Sequence, residues 1–114
     1  MEAKIIEHRD KNLLYLNYKG AKTDEEKVNL LRKGIQMGES YRDIGILVNI
    51  EGQGFSKEYM DEVKKCTQGD LGKMALVGAN TVMRIFMNTI IAVTGRNNFK
   101  VFNREEGAME WLAS

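Results

Sequence analysis

The sequence predicts an α/β fold with a mixed, mostly parallel sheet of about five strands and four helices, in the order ββαβαβαβα. Three observations predict it. Short apolar runs alternate with helix-length segments that begin at capping residues. The interior run Ile44 to Ile50 is apolar on both sides of the pleat apart from Gly45 and Asn49, as in a strand covered on both faces. The chain has 114 residues and no proline, so a single domain spanning 1–114 is expected, its breaks marked by glycines and caps.

The first two runs, Ile5-Ile6 and Leu13 to Tyr18, flank the charged stretch His8-Arg9-Asp10-Lys11-Asn12 and read as a hairpin closed by Gly20. Thr23-Asp24-Glu25-Glu26 is a capping box: the Thr23 hydroxyl accepts from the N–H of Glu26, whose side chain reaches back to the N–H of Thr23. Val28, Leu31 and Ile35 follow on one helical face. Gly34 and Gly38 each weaken that helix by about 1 kcal/mol relative to Ala, and it ends near Gly38 to Ser40.

After the strand Ile44 to Ile50 comes the turn Glu51-Gly52-Gln53-Gly54. Ser56 then caps a second helix, with Phe55 and Met60 at staple spacing and Met60, Val63 and Cys66 or Thr67 on its inner face, stopped by Gly69 to Gly72. Met74 to Val77 is the next strand. Asn80 caps an apolar helix over Thr81 to Thr94, with Gly95 as its stop. Phe99 to Phe102 is the last strand. Asn103-Arg104-Glu105-Glu106 reads as a second capping box, opening a helix that carries Ala108, Met109, Trp111 and Leu112. Trp111 is expected to be largely buried, docking that helix on the sheet beside Phe99 or Val101.

Composition excludes several classes. Lys plus Arg is 17 against 16 acidic residues, and a net charge of +1 offers no electrostatic footprint for nucleic acid. One Cys and one His exclude a disulfide framework and a Cys/His zinc site, so no metal and no cofactor is expected. The first twenty residues carry no signal-peptide pattern. The longest uncharged stretch, Ile85 to Gly95, has 11 residues and is too short to span a bilayer. A cytoplasmic location is the expectation.

From Ile44 to Leu112 the chain resembles the SpoIIAA-like family, the sulfate-transporter and anti-sigma-antagonist (STAS) domains and their relatives. The carrying segments are Ile46-Leu47-Val48-Asn49-Ile50 entering a loop and helix, Lys73-Met74-Ala75-Leu76-Val77-Gly78 leading into the apolar helix, and the ending Val101-Phe102-Asn103-Arg104-Glu105-Glu106-Gly107-Ala108-Met109-Glu110-Trp111-Leu112. The resemblance implies a non-enzymatic domain that binds a protein partner or a small ligand, with a regulatory role. Anti-sigma antagonists carry Asp-Ser-Ser-Gly at the start of the second helix, where a partner kinase phosphorylates a serine. Here that place reads Phe55-Ser56-Lys57-Glu58-Tyr59, so Ser56 is the one candidate phosphosite and the resemblance is closer to the stand-alone branch.

No nucleophile sits with a base: Cys66 falls on an apolar helix phase and the only His, His8, lies on the hairpin turn. Glu25-Glu26 and Glu105-Glu106 read as first-turn acids suited to the helix dipole. Parallel sheets place ligands beyond the carboxyl ends of their strands. That points to Gly52, Gln53, Gly54, Ser56 and Lys57 in one turn and Asn80 and Thr81 in another, as an alternative site for a small anion or lipid; the plainer reading is that these residues only turn and cap the chain. On the apolar helix, Val82, Phe86, Ile90 and Val93 form a core stripe. Met83, Met87 and Ile91 form a second stripe, expected either to be core or to be an exposed edge for a homodimer or protein partner.

Overall fold

The computed structural model describes residues 1–41, 44–54, 56, 58–59, 61–62, 73–94 and 98–114, with only the backbone of 86 and 89–94. Its elements are β1 (Glu2–His8), β2 (Lys11–Asn17), α1 (Asp24–Gly38), β3 (Gly45–Asn49), β4 (Met74–Val77), α2 (Thr81–Thr94), β5 (Phe99–Phe102) and α3 (Glu105–Ala113). Of the helix expected after Ser56, residues Glu58, Tyr59, Asp61 and Glu62 are helical. The expectations for Phe55, Lys57, Met60, Val63, Cys66, Thr67, Gly69 to Gly72 and Gly95 lie outside the described residues, as do those for the side chains of Phe86, Ile90, Ile91 and Val93.

The sheet order is β1-β2-β3-β4-β5, antiparallel between β1 and β2 and parallel thereafter. The hairpin turn is tighter than the charged stretch suggests. His8 pairs with Lys11, and only Arg9 (φ 51°) and Asp10 (φ 63°) turn, both left-handed. That is the backbone of a two-residue primed turn, whose twist matches the strands it joins.

Strand alternation divides the core into two layers. Leu14, Leu16, Ile46, Val48 and Leu76 face one side with Leu30 and Leu31 of α1, Tyr59, and Met87 of α2. Leu13, Tyr15, Leu47, Ala75 and Val77 face the other, with Ala108 and Leu112 of α3. The central strands are therefore apolar without interruption because both of their faces are covered. Gly34 does not simply weaken α1: it is buried, and a Cβ there would drive into Leu16 of β2, so the glycine sets the close approach of helix to sheet.

Two helix starts depart from expectation. At α1 the Thr23 hydroxyl does accept from the Glu26 N–H (3.1 Å), but the Glu26 carboxylate accepts from Lys22 N–H (3.0 Å) and not from Thr23. At α3 the cap is Arg104, with no side-chain capping bond, so Asn103 opens no capping box. Trp111 is half-buried, and its ring lies 5.6 Å from that of Phe102, with the Lys73 and Lys100 ammonium groups each 5.3 Å from its centre. Phe99 and Val101 point to the opposite layer, which is why neither is its neighbour.

Candidate functional site

β3 and β4 are hydrogen-bonded neighbours, so the turns leaving them meet at one rim of the sheet. Ile50 N–H donates to Val77 O (3.0 Å) just before they diverge. Gly78 (φ +83°) is where they touch: a Cβ there would lie 2.7 Å from the Glu51 backbone nitrogen and 2.9 Å from Asn49 Oδ1. Only glycine fits both that conformation and that space.

Several polar groups of the rim are engaged within the chain. Ser56 Oγ accepts from Tyr59 N–H (3.0 Å), and Asn80 Oδ1 accepts from Met83 N–H (2.8 Å), so both cap as the sequence predicts. Gln53 N–H donates to Ile50 O (2.9 Å), and Gly54 O accepts from the Lys27 ammonium (2.9 Å). Gly52 and Thr81 are exposed. The two turns come together as a surface, while the Ser56 and Asn80 side chains cap the helix starts.

Beneath the rim lies a group that sequence reasoning missed. Glu105 Oε1 accepts from the Tyr15 hydroxyl (2.7 Å) and from Asn49 Nδ2 (3.0 Å), while Asn49 Oδ1 accepts from Glu51 N–H (2.9 Å). This chain joins β2, β3, the rim turn and the start of α3. Burial, and then the hydrogen bond to Glu105, raise the Tyr15 pKa above its ordinary value. The one available signal was Asn49, a lone amide at the end of an apolar strand. Glu105 was assigned to the helix dipole because nothing local announces a partner 90 residues away.

On the other face, between the sheet and the α1–α2 layer, is an apolar cavity of about 50 Å³. Leu16, Tyr18, Ile46, Val48, Leu76 and Phe99 of the sheet side and Leu31, Tyr59 and Met87 of the helix side line it. Tyr18 and Tyr59 meet edge to face, with ring centres 5.6 Å apart.

Met87 corrects the expected partner edge. It is 7% exposed, in the core and on the cavity wall, and Met83 is half-buried. Val82, assigned to the core stripe, is 75% exposed, and Ile85 is 63% exposed. The apolar arc of α2 is broad enough to dock in either phase, and the chain docks it through Met87. Among the described residues, no group of three His, Cys, Asp or Glu side chains can hold a metal, and no helix is long and apolar enough to cross a membrane.

The architecture is that of a small α/β domain with helices on both faces of a mostly parallel sheet. A family model described as SpoIIAA-like matches residues 13–113, and the chain belongs to that family of STAS-type domains. No curated protein and no solved structure matches it.

Proposed function

We propose that this SpoIIAA-like chain is a non-enzymatic binding domain that holds a small apolar ligand between the sheet and the α1–α2 layer. The observation that carries this reading is the cavity itself. Its described walls are Leu, Ile, Val, Met, Phe and two Tyr, with no charged group, in the middle of the larger core cluster. A void with such walls stays dry, and its lining forgoes dispersion contacts that an apolar occupant restores. The reading moves a carried lipid or other small ligand away from the turns at 52–57 and 78–81, where Ser56 and Asn80 are taken up in caps, and into the layer beneath.

Native mass spectrometry of protein purified from its own host tests it by reading any co-purified mass. Val48→Leu supplies the control, since one added methylene narrows the void: it should raise the melting temperature of the empty protein and lower ligand occupancy. Protein that carries nothing, and whose core methyl resonances ignore a panel of small apolar compounds, would overturn the reading.

A second reading, a protein partner met as part of a regulatory role, is favoured by Val82 and Ile85. These large apolar side chains are exposed on the first turns of α2, beside the 78–81 turn. Val82→Glu and Ile85→Glu should leave folding intact and abolish any such association, read by sedimentation with the candidate partner or with the protein alone.

A further inference from the structure

We propose that β1 is the seam of a symmetric homodimer, in which two copies pair antiparallel about Ile5 and join their sheets edge to edge.

β1 is seven residues long and stands at one end of the sheet, with a strand on one side only. The two-residue hairpin fixes which of its backbone groups are spent. His8 and Lys11 flank the turn and exchange both of their hydrogen bonds, and bonded and non-bonded pairs alternate along an antiparallel ladder. Lys4 and Ile6 therefore bond inward to Tyr15 and Leu13, while the N–H and C=O groups of Ala3, Ile5 and Glu7 point away from the sheet. No described residue bonds to those outward groups.

The devices that usually blunt such an edge are missing from β1. The chain has no proline, and the β1–β2 register is one-to-one from Glu2 to His8, so no bulge turns the edge aside. Lys4 does not guard it: its ammonium lies 3.3 Å from Glu2 and 5.5 Å from the centre of the Tyr15 ring, folded back over its own sheet. Ala3 and Ile5 pack on the α1 layer yet stay half-buried, so the helix does not close the edge. β5, the other end strand, has only four residues.

One register makes the strand complementary to itself. Outward residues must meet outward residues, and a twofold axis at Ile5 engages all three: Ile5 meets its own counterpart, and Ala3 and Glu7 meet each other twice. Lys4 then faces Ile6 and Glu2 faces His8, so no like charges are opposed. An axis at Lys4 would set two lysines opposite each other and leave Glu7 unpaired. An axis at Ile6 would set Lys4 opposite His8 and leave Ala3 unpaired.

Sedimentation and amide exchange test the seam together. The protein should be dimeric at high micromolar concentration. In dilute protein the Lys4 and Ile6 amides should be protected and those of Ala3, Ile5 and Glu7 open, and raising the concentration should protect the second set. Glu7→Pro removes one cross-seam donor from each copy at an exposed edge position that tolerates proline, and should weaken association about tenfold or more. If that variant fails to fold, Ile5→Cys in a Cys66→Ser background replaces it. Oxidation should link two copies at the axis, where paired Cα atoms lie about 5.5 Å apart. Glu7→Cys, about 14 Å from its counterpart, should not link. Val82→Glu should leave the dimer intact, because α2 packs against β5 at the far end of the sheet. A protein that stays monomeric at high micromolar concentration, a dimer whose Ala3, Ile5 and Glu7 amides remain open, a dimer lost in Val82→Glu, or cross-linking through Glu7→Cys in preference to Ile5→Cys would each overturn the proposal.

Discussion

Glu105→Ala is the sharpest probe of how the rim is held. The substitution removes the acceptor shared by the Tyr15 hydroxyl at 2.7 Å and the Asn49 amide at 3.0 Å. Bonds to a charged acceptor contribute about 1.5–3 kcal/mol each when desolvated, and this site is only half-buried, so about 1 kcal/mol for each is appropriate. Loss of a negative charge in the first turn of α3 adds about 0.5 kcal/mol. The expected destabilisation is about 2–3 kcal/mol, or roughly 10 °C in melting temperature for a chain this size. Glu105→Gln keeps an acceptor oxygen and should cost about 1 kcal/mol. In a Tyr15→Phe background Glu105→Ala should cost about 1 kcal/mol less, because the two share one bond. The same bond has a pH signature. The folded state holds the Tyr15 proton more tightly than the unfolded chain, where the pKa is about 10. Its contribution is therefore complete below about pH 10 and is lost as pH rises through the folded value. Glu105→Gln should bring forward the onset of tyrosinate absorbance. A Glu105→Ala protein melting within about 2 °C of wild type, with additive costs in the double variant, would refute the reasoning.

Three further outcomes are expected. Gly78→Ala should cost about 3 kcal/mol in denaturant unfolding, combining left-handed strain with a Cβ held 2.7 Å from the Glu51 backbone nitrogen; a loss under 1 kcal/mol would mean the two turns part easily. Met87→Glu should fail to give a folded protein by near-ultraviolet circular dichroism, since it puts a charge at a core position that is 7% exposed, whereas Val82→Glu should stay within about 0.5 kcal/mol of wild type; the reverse ranking would restore the Met83–Met87 edge as a surface. Trp111→Ala should cost about 2 kcal/mol, below the usual cost at a fully buried site, because the ring is half-buried against Phe102 between two ammonium groups; a change of melting temperature under about 2 °C would show that α3 docks without it.

What the sequence revealed follows the range over which each signal acts. Alternation and apolar runs are local, and they place β2 to β5 and the sheet's parallel character to within a residue or two, while β1 starts three residues before the Ile5-Ile6 run. Thr23, Ser56 and Asn80 cap as read, because a cap needs only the next three residues. Asn103 is the exception: its motif is locally complete, yet α3 starts one residue later, with Arg104 at the cap and no side-chain capping bond. The phase of α2 was not legible, because residues on both its stripes are apolar and only the packed sheet chooses between them. Gly34 illustrates the opposite error, where a poor helix former was counted as a defect and is instead the contact that lets α1 sit on Leu16.

The two faces of the sheet are built for different tasks. The α3 face ends at the rim in a closed set of hydrogen bonds, Tyr15 to Glu105 to Asn49 to the Glu51 backbone, in which each named polar atom has a partner within the chain. Such a set fixes the register of strands and turn and leaves little to offer a ligand. On the opposite face the described cavity walls are aliphatic side chains, Phe99 and two tyrosines. That face has an apolar void where two helices meet the sheet. A fold that joins the named polar groups of one side in a closed set and leaves apolar volume on the other offers its binding capacity on the second. That asymmetry favours the layer beneath α1 and α2 over the glycine-rich turns as the seat of binding.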